Sequence, residues 1–176
     1  MKLLKVSLLA AVYAFAVGVY AQGAAPNDAQ IAHIVVTANQ VDIDAGKLAE
    51  SKGHSSDVKA FGKQMVTDHS GVNAQATALV KKLNVTPQDN PTSESLKKGG
   101  EENLKKLHGL SGAAFDKAYI EHEVAYHEQV LNAIDTTLVP NAKNEELKAL
   151  IVKVRPAFVA HLEHAKKVQS SLAKAA

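Results

Sequence analysis

Apolar residues recur along this chain with a helical period, and four stretches hold that period long enough to form helices. The first runs from Asp28 to about Ser51 and puts Ile31, Ile34, Val35, Ala38, Val41, Ala45, Leu48 and Ala49 on one face. Gly53 behind it suits the left-handed position that ends many helices. The second begins with Ser55 or Ser56 as N-cap and carries Val58, Phe61, Met65, Val72, Ala76, Leu79 and Leu83. The third is capped by Ser111 and ends near Thr137, because Pro140 forbids its continuation. Its apolar half holds Phe115, Tyr119, Ile120, Val124, Tyr126, Val130, Leu131 and Ile134. The fourth starts at Asn144, with Glu145 and Glu146 in its first turn, and carries Leu147, Leu150, Ile151, Val154, Phe158, Ala165, Val168 and Leu172. Pro156 falls inside that run and is expected to kink it about a turn before His161. Between the second and third helices lie a loop, Asn84 to Pro91, and a weaker helix, Thr92 to His108, interrupted by Gly99-Gly100. With no convincing strand or repeat, the pattern predicts an all-α, antiparallel four-helix bundle over residues 28–172 with a long, partly helical connection between its second and third helices.

Each stripe is broken by ionisable residues. Asp42 lies inside the first, and Asp68 and His69 flank the missing turn of the second. Asp116, Glu123 and His127 fall in the apolar half of the third, with Glu123 and His127 stacked four apart. His161 fills the missing position of the fourth, and His164 lies nearer its rim. Such groups cost several kcal/mol in a core unless they are paired or bound to a metal. Suppose the helices run up, down, up, down, the third starting level with the end of the second. A rise of about 1.5 Å per residue then places Asp42, His69, Glu123, His127 and His161 at heights of about 15 to 26 Å above the first turn. They agree within about two turns, so all four helices feed one middle layer, while Asp116 lies outside it.

Composition narrows what that layer can be. The chain has 176 residues, enough for one domain, with 8 histidines and neither cysteine nor tryptophan. Disulfides and a cysteine-linked lipid anchor are therefore excluded. Lys2, Lys5, the apolar run Leu3 to Val19 and the small-residue site Val19-Tyr20-Ala21 read as a secretory signal over residues 1–21. The mature chain is then expected to start at Gln22, with no stable membrane insertion; an uncleaved anchor is the alternative. Without Lys2 and Lys5 the 20 basic residues fall to 18, balancing the 18 acidic ones, and no basic stripe points to nucleic acid. Imidazole and carboxylate together suit Zn, Fe, Mn or Cu(II).

The segments Asp42 to Ala49, Phe61 to Ser70, Ser111 to Tyr119, His127-Glu128, and Pro156 with His161-Leu162 resemble the domain-of-unknown-function family numbered 4142 over about Ile31 to Gln169. That resemblance implies a ferritin-like four-helix bundle exported by Gram-negative bacteria, usually to the periplasm, and implies no activity. The paired Glu-x-x-His motifs of ferritin-like di-iron proteins are absent from the sequence, so oxygen chemistry does not follow from the fold. Two readings remain. One is a single-metal bundle with His69, His127 and His161 as nitrogen ligands and Asp42, Glu123 or Asp68 as carboxylate partners. The other is a non-catalytic envelope protein, a homodimer or bound to another envelope protein, whose buried layer only fixes helix register. A hydrolase is disfavoured, because Ser70 and His69 diverge by about 100° on one helix.

Overall fold

The computed structural model describes residues 25–175; the expected signal segment lies outside them. Among the described residues no strand occurs. The helices are α1 (Asp28–Lys52), α2 (Ser56–Lys82), α3 (Pro91–His108), α4 (Gly112–Ala133), a π-helical turn (Ile134–Leu138), the short α5 (Val139–Asn141) and α6 (Glu145–Ala175). The all-α bundle read from the pattern is thus present, with α1 packed on α2, α4 on α6, α2 on α6, and α3 laid along α1.

Local chemistry sets the ends. Asn27 caps α1 by accepting from the Gln30 N–H, while the Gln30 side chain accepts from the Asn27 N–H in return. Asp28, one residue later, instead accepts from the N–H groups of Lys143 and Asn144, tying the start of α1 to the start of α6. Asn144 caps α6 by accepting from the Glu146 and Leu147 N–H groups, as its place before two acidic residues predicts. Ser55 caps α2 through the Asp57 N–H. Ser111 stands at the N-cap of α4 but makes no side-chain capping bond.

Four expectations need correction. Gly53 is extended (φ −52, ψ 142) and not left-handed, because the turn is fixed from outside: Asp116 on α4 accepts from the His54 and Ser55 N–H groups at 2.8 and 2.7 Å. Gly99-Gly100 does not interrupt α3. A Cβ on Gly100 would lie 2.8 Å from the Val41 side chain, so the glycine permits a close crossing that offsets its helix penalty. The third bundle helix does not stop near Thr137. A wider π-turn carries it to Asn141, and Pro140 falls in the first turn of α5, where its missing N–H is not needed.

The fourth correction concerns chain direction. Asp116 at the start of α4 touches the α1–α2 turn, and Lys52 at the end of α1 donates to the Leu107 and His108 carbonyls at the end of α3. Helix α4 therefore starts beside the first turn and not at the far end of α2. Helix α3 carries the chain back along α1, so that each of the four long helices still runs antiparallel to its neighbours. With that direction the same rise per residue puts Asp42, His69, Glu123, His127 and His161 about 10 to 22 Å above the first turn, so they still share one level to within about two turns.

Two apolar clusters flank this level. One, around Phe61, Met65, Phe115, Tyr119 and Val168, fills the bundle toward the α1–α2 turn. The other, around Ile31, Ile34, Ile134, Leu138 and Ile151, fills the opposite end. Helix α6 runs unbroken through Pro156; the Val152 carbonyl that loses its donor there belongs to an exposed residue, within reach of water.

Candidate metal centre

Between the two apolar clusters the bundle buries a layer of charge-bearing side chains. Asp42 is 1 % exposed, His161 2 %, and His69, Glu123 and His127 are fully buried. The three rings form a triangle with centroids 5.2 to 5.7 Å apart, and Phe158 packs edge-on against His69. One ring nitrogen from each of His69, His127 and His161 lies within 4.8 Å of the others. The helices that deliver them are α2, α4 and α6.

The other nitrogen of each ring is already engaged. His69 Nδ1 meets the Asn39 side-chain oxygen at 2.7 Å, His127 Nδ1 the Glu123 carbonyl at 3.0 Å, and His161 Nε2 an Asp68 carboxylate oxygen at 2.9 Å. Each acceptor requires an N–H, which leaves a lone pair on His69 Nε2, His127 Nε2 and His161 Nδ1. Those three atoms are buried without a hydrogen-bond partner among the described residues. An oxygen acceptor that fixes the ring and leaves the opposite nitrogen bare is the usual support of a metal-bound histidine.

Asp68 is the residue whose place differs most from an inward one. Its side chain is 41 % exposed, and it holds His161 from the rim without facing the three bare nitrogens. The Gln64 amide donates to Asp68, and His164 Nδ1 donates to Gln64, so a short chain of hydrogen bonds runs between α2 and α6 to the edge of the layer.

The carboxylates form a second, overlapping group: Asp42, Glu123 and His127 also bring one candidate atom each within 4.8 Å. Asp42 Oδ2 lies 3.4 Å from His69 Nε2, and Glu123 Oε2 lies 3.6 Å from His127 Nδ1. None of their four oxygens has a hydrogen-bond donor among the described residues, nor does the neighbouring Tyr119 hydroxyl. Such a layer favours uncharged forms. Burial pushes His69 down to about 2, helped by the two neighbouring histidines, and His127 down to about 4. Burial lowers His161 as well, with Asp68 opposing. Burial pushes Glu123 up to about 8, and burial and the nearby Glu123 push Asp42 well above the usual carboxylate range. At neutral pH the imidazoles are neutral ligands, and the carboxyl pair holds protons that a cation would displace.

Sequence periodicity found the three histidines, Asp42 and Glu123, and left Asp116 outside the layer, where it ties down the α1–α2 turn. It missed Asn39, which is 1 % exposed and orients His69. The signal was present: Asn39 precedes Asp42 by three, on the same helix face. His122 is half-buried and stacked on Tyr126 at 5.5 Å.

Taken together, this is a helical bundle with a buried His/Asp/Glu cluster suited to a single transition-metal ion. Residues 17–168 match the family described as "Domain of unknown function (DUF4142)", and the chain belongs to that family. No curated protein and no solved structure matches it.

Proposed function

We propose that this protein is an exported, periplasmic metal-binding bundle of a Gram-negative bacterium. It holds one Zn, Fe, Mn or Cu ion through His69, His127 and His161. Asp42 and Glu123 are the adjacent carboxylates, and Asp68 and Asn39 orient the rings. The observation that carries the metal reading is a trio of buried histidines that bring one ring nitrogen each within 4.8 Å, every ring held by an acceptor on one nitrogen with the other left without a partner. Export rests on the basic and apolar pattern of residues 1–21 with its small-residue cleavage site. Among the described residues, no helix is long and apolar enough to cross a membrane.

One observation favours a second reading, a metal-free structural layer. A protonated Asp42 facing His69 Nε2 at 3.4 Å gives a weak internal pairing that fixes helix register without an ion. Elemental mass spectrometry separates the two, on protein purified without chelator beside the variant His69→Ala, His127→Ala, His161→Ala. Near-stoichiometric metal in the natural protein, lost from a variant whose circular dichroism remains helical, is the expected result. Absence of metal from the natural protein, even after incubation with each of the four ions, would leave the structural layer.

A further inference from the structure

The three-histidine layer is not closed on all sides. A cleft of about 330 Å³ opens between α2 and α6, and its lining includes His69 and His161 themselves. Its walls are apolar, with Val72 on α2 and Val154, Ala157 and Phe158 on α6. At the mouth Lys153 on α6 reaches across to α2, its ammonium donating to the Gln75 side-chain oxygen at 3.3 Å. Among the described residues Gln75 is its only hydrogen-bond partner, and Lys153 makes no ion pair. The one carboxylate that lines the cleft, Asp68, is engaged with His161 and Gln64. His127, which is absent from the cleft lining, completes the trio; Asp42 Oδ2 stands 3.4 Å from His69 Nε2, and Glu123 lies beside His127.

We propose that a small monovalent anion reaches an ion held by His69, His127 and His161 through the α2–α6 cleft and binds it as an exogenous ligand, with Lys153 as the residue that draws the anion in. The inference rests on the metal reading above and adds to it an open ligand position and the class of molecule that takes it. Three points of chemistry support it. Three protein ligands leave a fourth tetrahedral position free, which is the arrangement of zinc sites that bind a further molecule. Three neutral imidazoles cancel none of a divalent ion's charge, and one ionised carboxylate beside it would still leave the centre positive, so it attracts anions. Apolar walls strip water from what enters, which selects small, weakly hydrated anions over bulky or multiply charged ones, and the ammonium at the mouth, which no carboxylate pairs with, offsets the charge of Asp68 and draws them in. Gln75, a neutral partner, leaves that charge intact while holding it over the opening.

The test uses Co(II), whose visible absorption reports its coordination, with azide as the anion. Addition of azide to the Co(II)-loaded natural protein is expected to change the visible bands in a saturable way. Lys153→Gln removes the charge at an exposed position. It should weaken azide binding by about three- to fivefold at low salt, a difference that shrinks as salt is raised, with the azide-free spectrum unchanged. Ala157→Phe, also at an exposed position, fills the passage and should abolish the azide response while Co(II) still binds. Bound Co(II) whose bands do not respond to azide would overturn the open position and leave the metal site standing. A response that survives Ala157→Phe would overturn the α2–α6 route, and equal azide affinity in Lys153→Gln would overturn the role of Lys153. If Co(II) gives no bound spectrum in the natural protein, the metal reading itself fails, and this inference falls with it.

Discussion

Asp68 and Asn39 make the case for a metal at the scale of single residues, because each satisfies one nitrogen of its histidine and leaves the other buried without a partner. Each accepts from the ring nitrogen that leaves the other nitrogen facing the centre. Asp68 is the cleaner probe, since its side chain is 41 % exposed and carries little of the core. Asp68→Ala should leave stability within about 1 kcal/mol, because at the rim water can replace the carboxylate as acceptor of the His161 N–H. It should weaken metal affinity by about 10- to 100-fold, because the His161 ring loses both its orientation and its tautomer preference. Competition against a chelator of known affinity, beside urea unfolding of the metal-free variant, reads the two effects separately. Equal losses in both would make Asp68 a structural residue only.

At the scale of the elements, the closest contact is between α1 and α2. A Cβ on Gly62 would stand 2.7 Å from the Gly46 carbonyl and 2.9 Å from the Glu50 backbone nitrogen, and backbone atoms cannot step aside. Gly71, on the same helix, has nothing within 4 Å of a Cβ. The pair gives opposite expectations for one chemical change. Gly62→Ala should destabilise by about 1–3 kcal/mol by forcing the helices apart. Gly71→Ala should stabilise by about 0.5–1 kcal/mol by removing glycine's backbone entropy cost. Urea midpoints of the two variants check both signs. Since Asp42 and His69 face each other across the same helix pair, Gly62→Ala should also loosen metal binding, whereas Gly71→Ala should not. The bidentate pair of Arg155 with Asp135, both bonds 2.7 Å, fastens the π-turn to α6 in a similar local way, and the hydrogen bonds to Arg155 hold the Asp135 carboxyl below its usual range.

For the whole molecule, the buried layer sets how stability depends on pH. His69, His127, His161 and His122 all have depressed values in the folded chain, so as pH falls below about 6.5 the unfolded chain takes up protons that the folded one refuses. Stability is then lost on the acid side, through about 4 for His127 and toward about 2 for His69. Asp42 and Glu123 are raised, so between about 4.5 and 8 the folded chain holds protons that the unfolded one releases, and stability is lost as pH rises. In the overlap the four histidines outnumber the two carboxyls. The metal-free protein should therefore be most stable near about pH 6.5, with each group changing stability by at most about 1.4 kcal/mol per pH unit. Urea midpoints across pH 4 to 9 check this, and a midpoint still rising at the alkaline end would show that the carboxyls are not held protonated. Loading the metal should reduce the alkaline loss, because a cation beside Asp42 and Glu123 favours their ionised forms, and steepen the acid one, because ligands must stay deprotonated.

Much of this architecture was legible in the chain itself. Stripes such as Ile31, Ile34 and Ala38, broken by Asp42, need only the helical period to be read, since period alone decides which residues share a face. The missing turns at His69, His127 and His161 were legible for the same reason, because an inward polar residue stands out against its own stripe. Periodicity carries no information about what lies across the bundle. Only packing decided that α4 starts beside the α1–α2 turn, that Asp116 fixes that turn, and that Gly100 marks a helix crossing and not a break. Only packing, too, divided the expected single layer into three bare imidazoles on one side and a carboxyl pair on the other, and placed Asp68 at the rim. A sequence fixes the face on which a side chain sits, to within about a turn of height; the distance between two nitrogens on different helices is set by how closely those helices approach, and that is a property of the assembled fold.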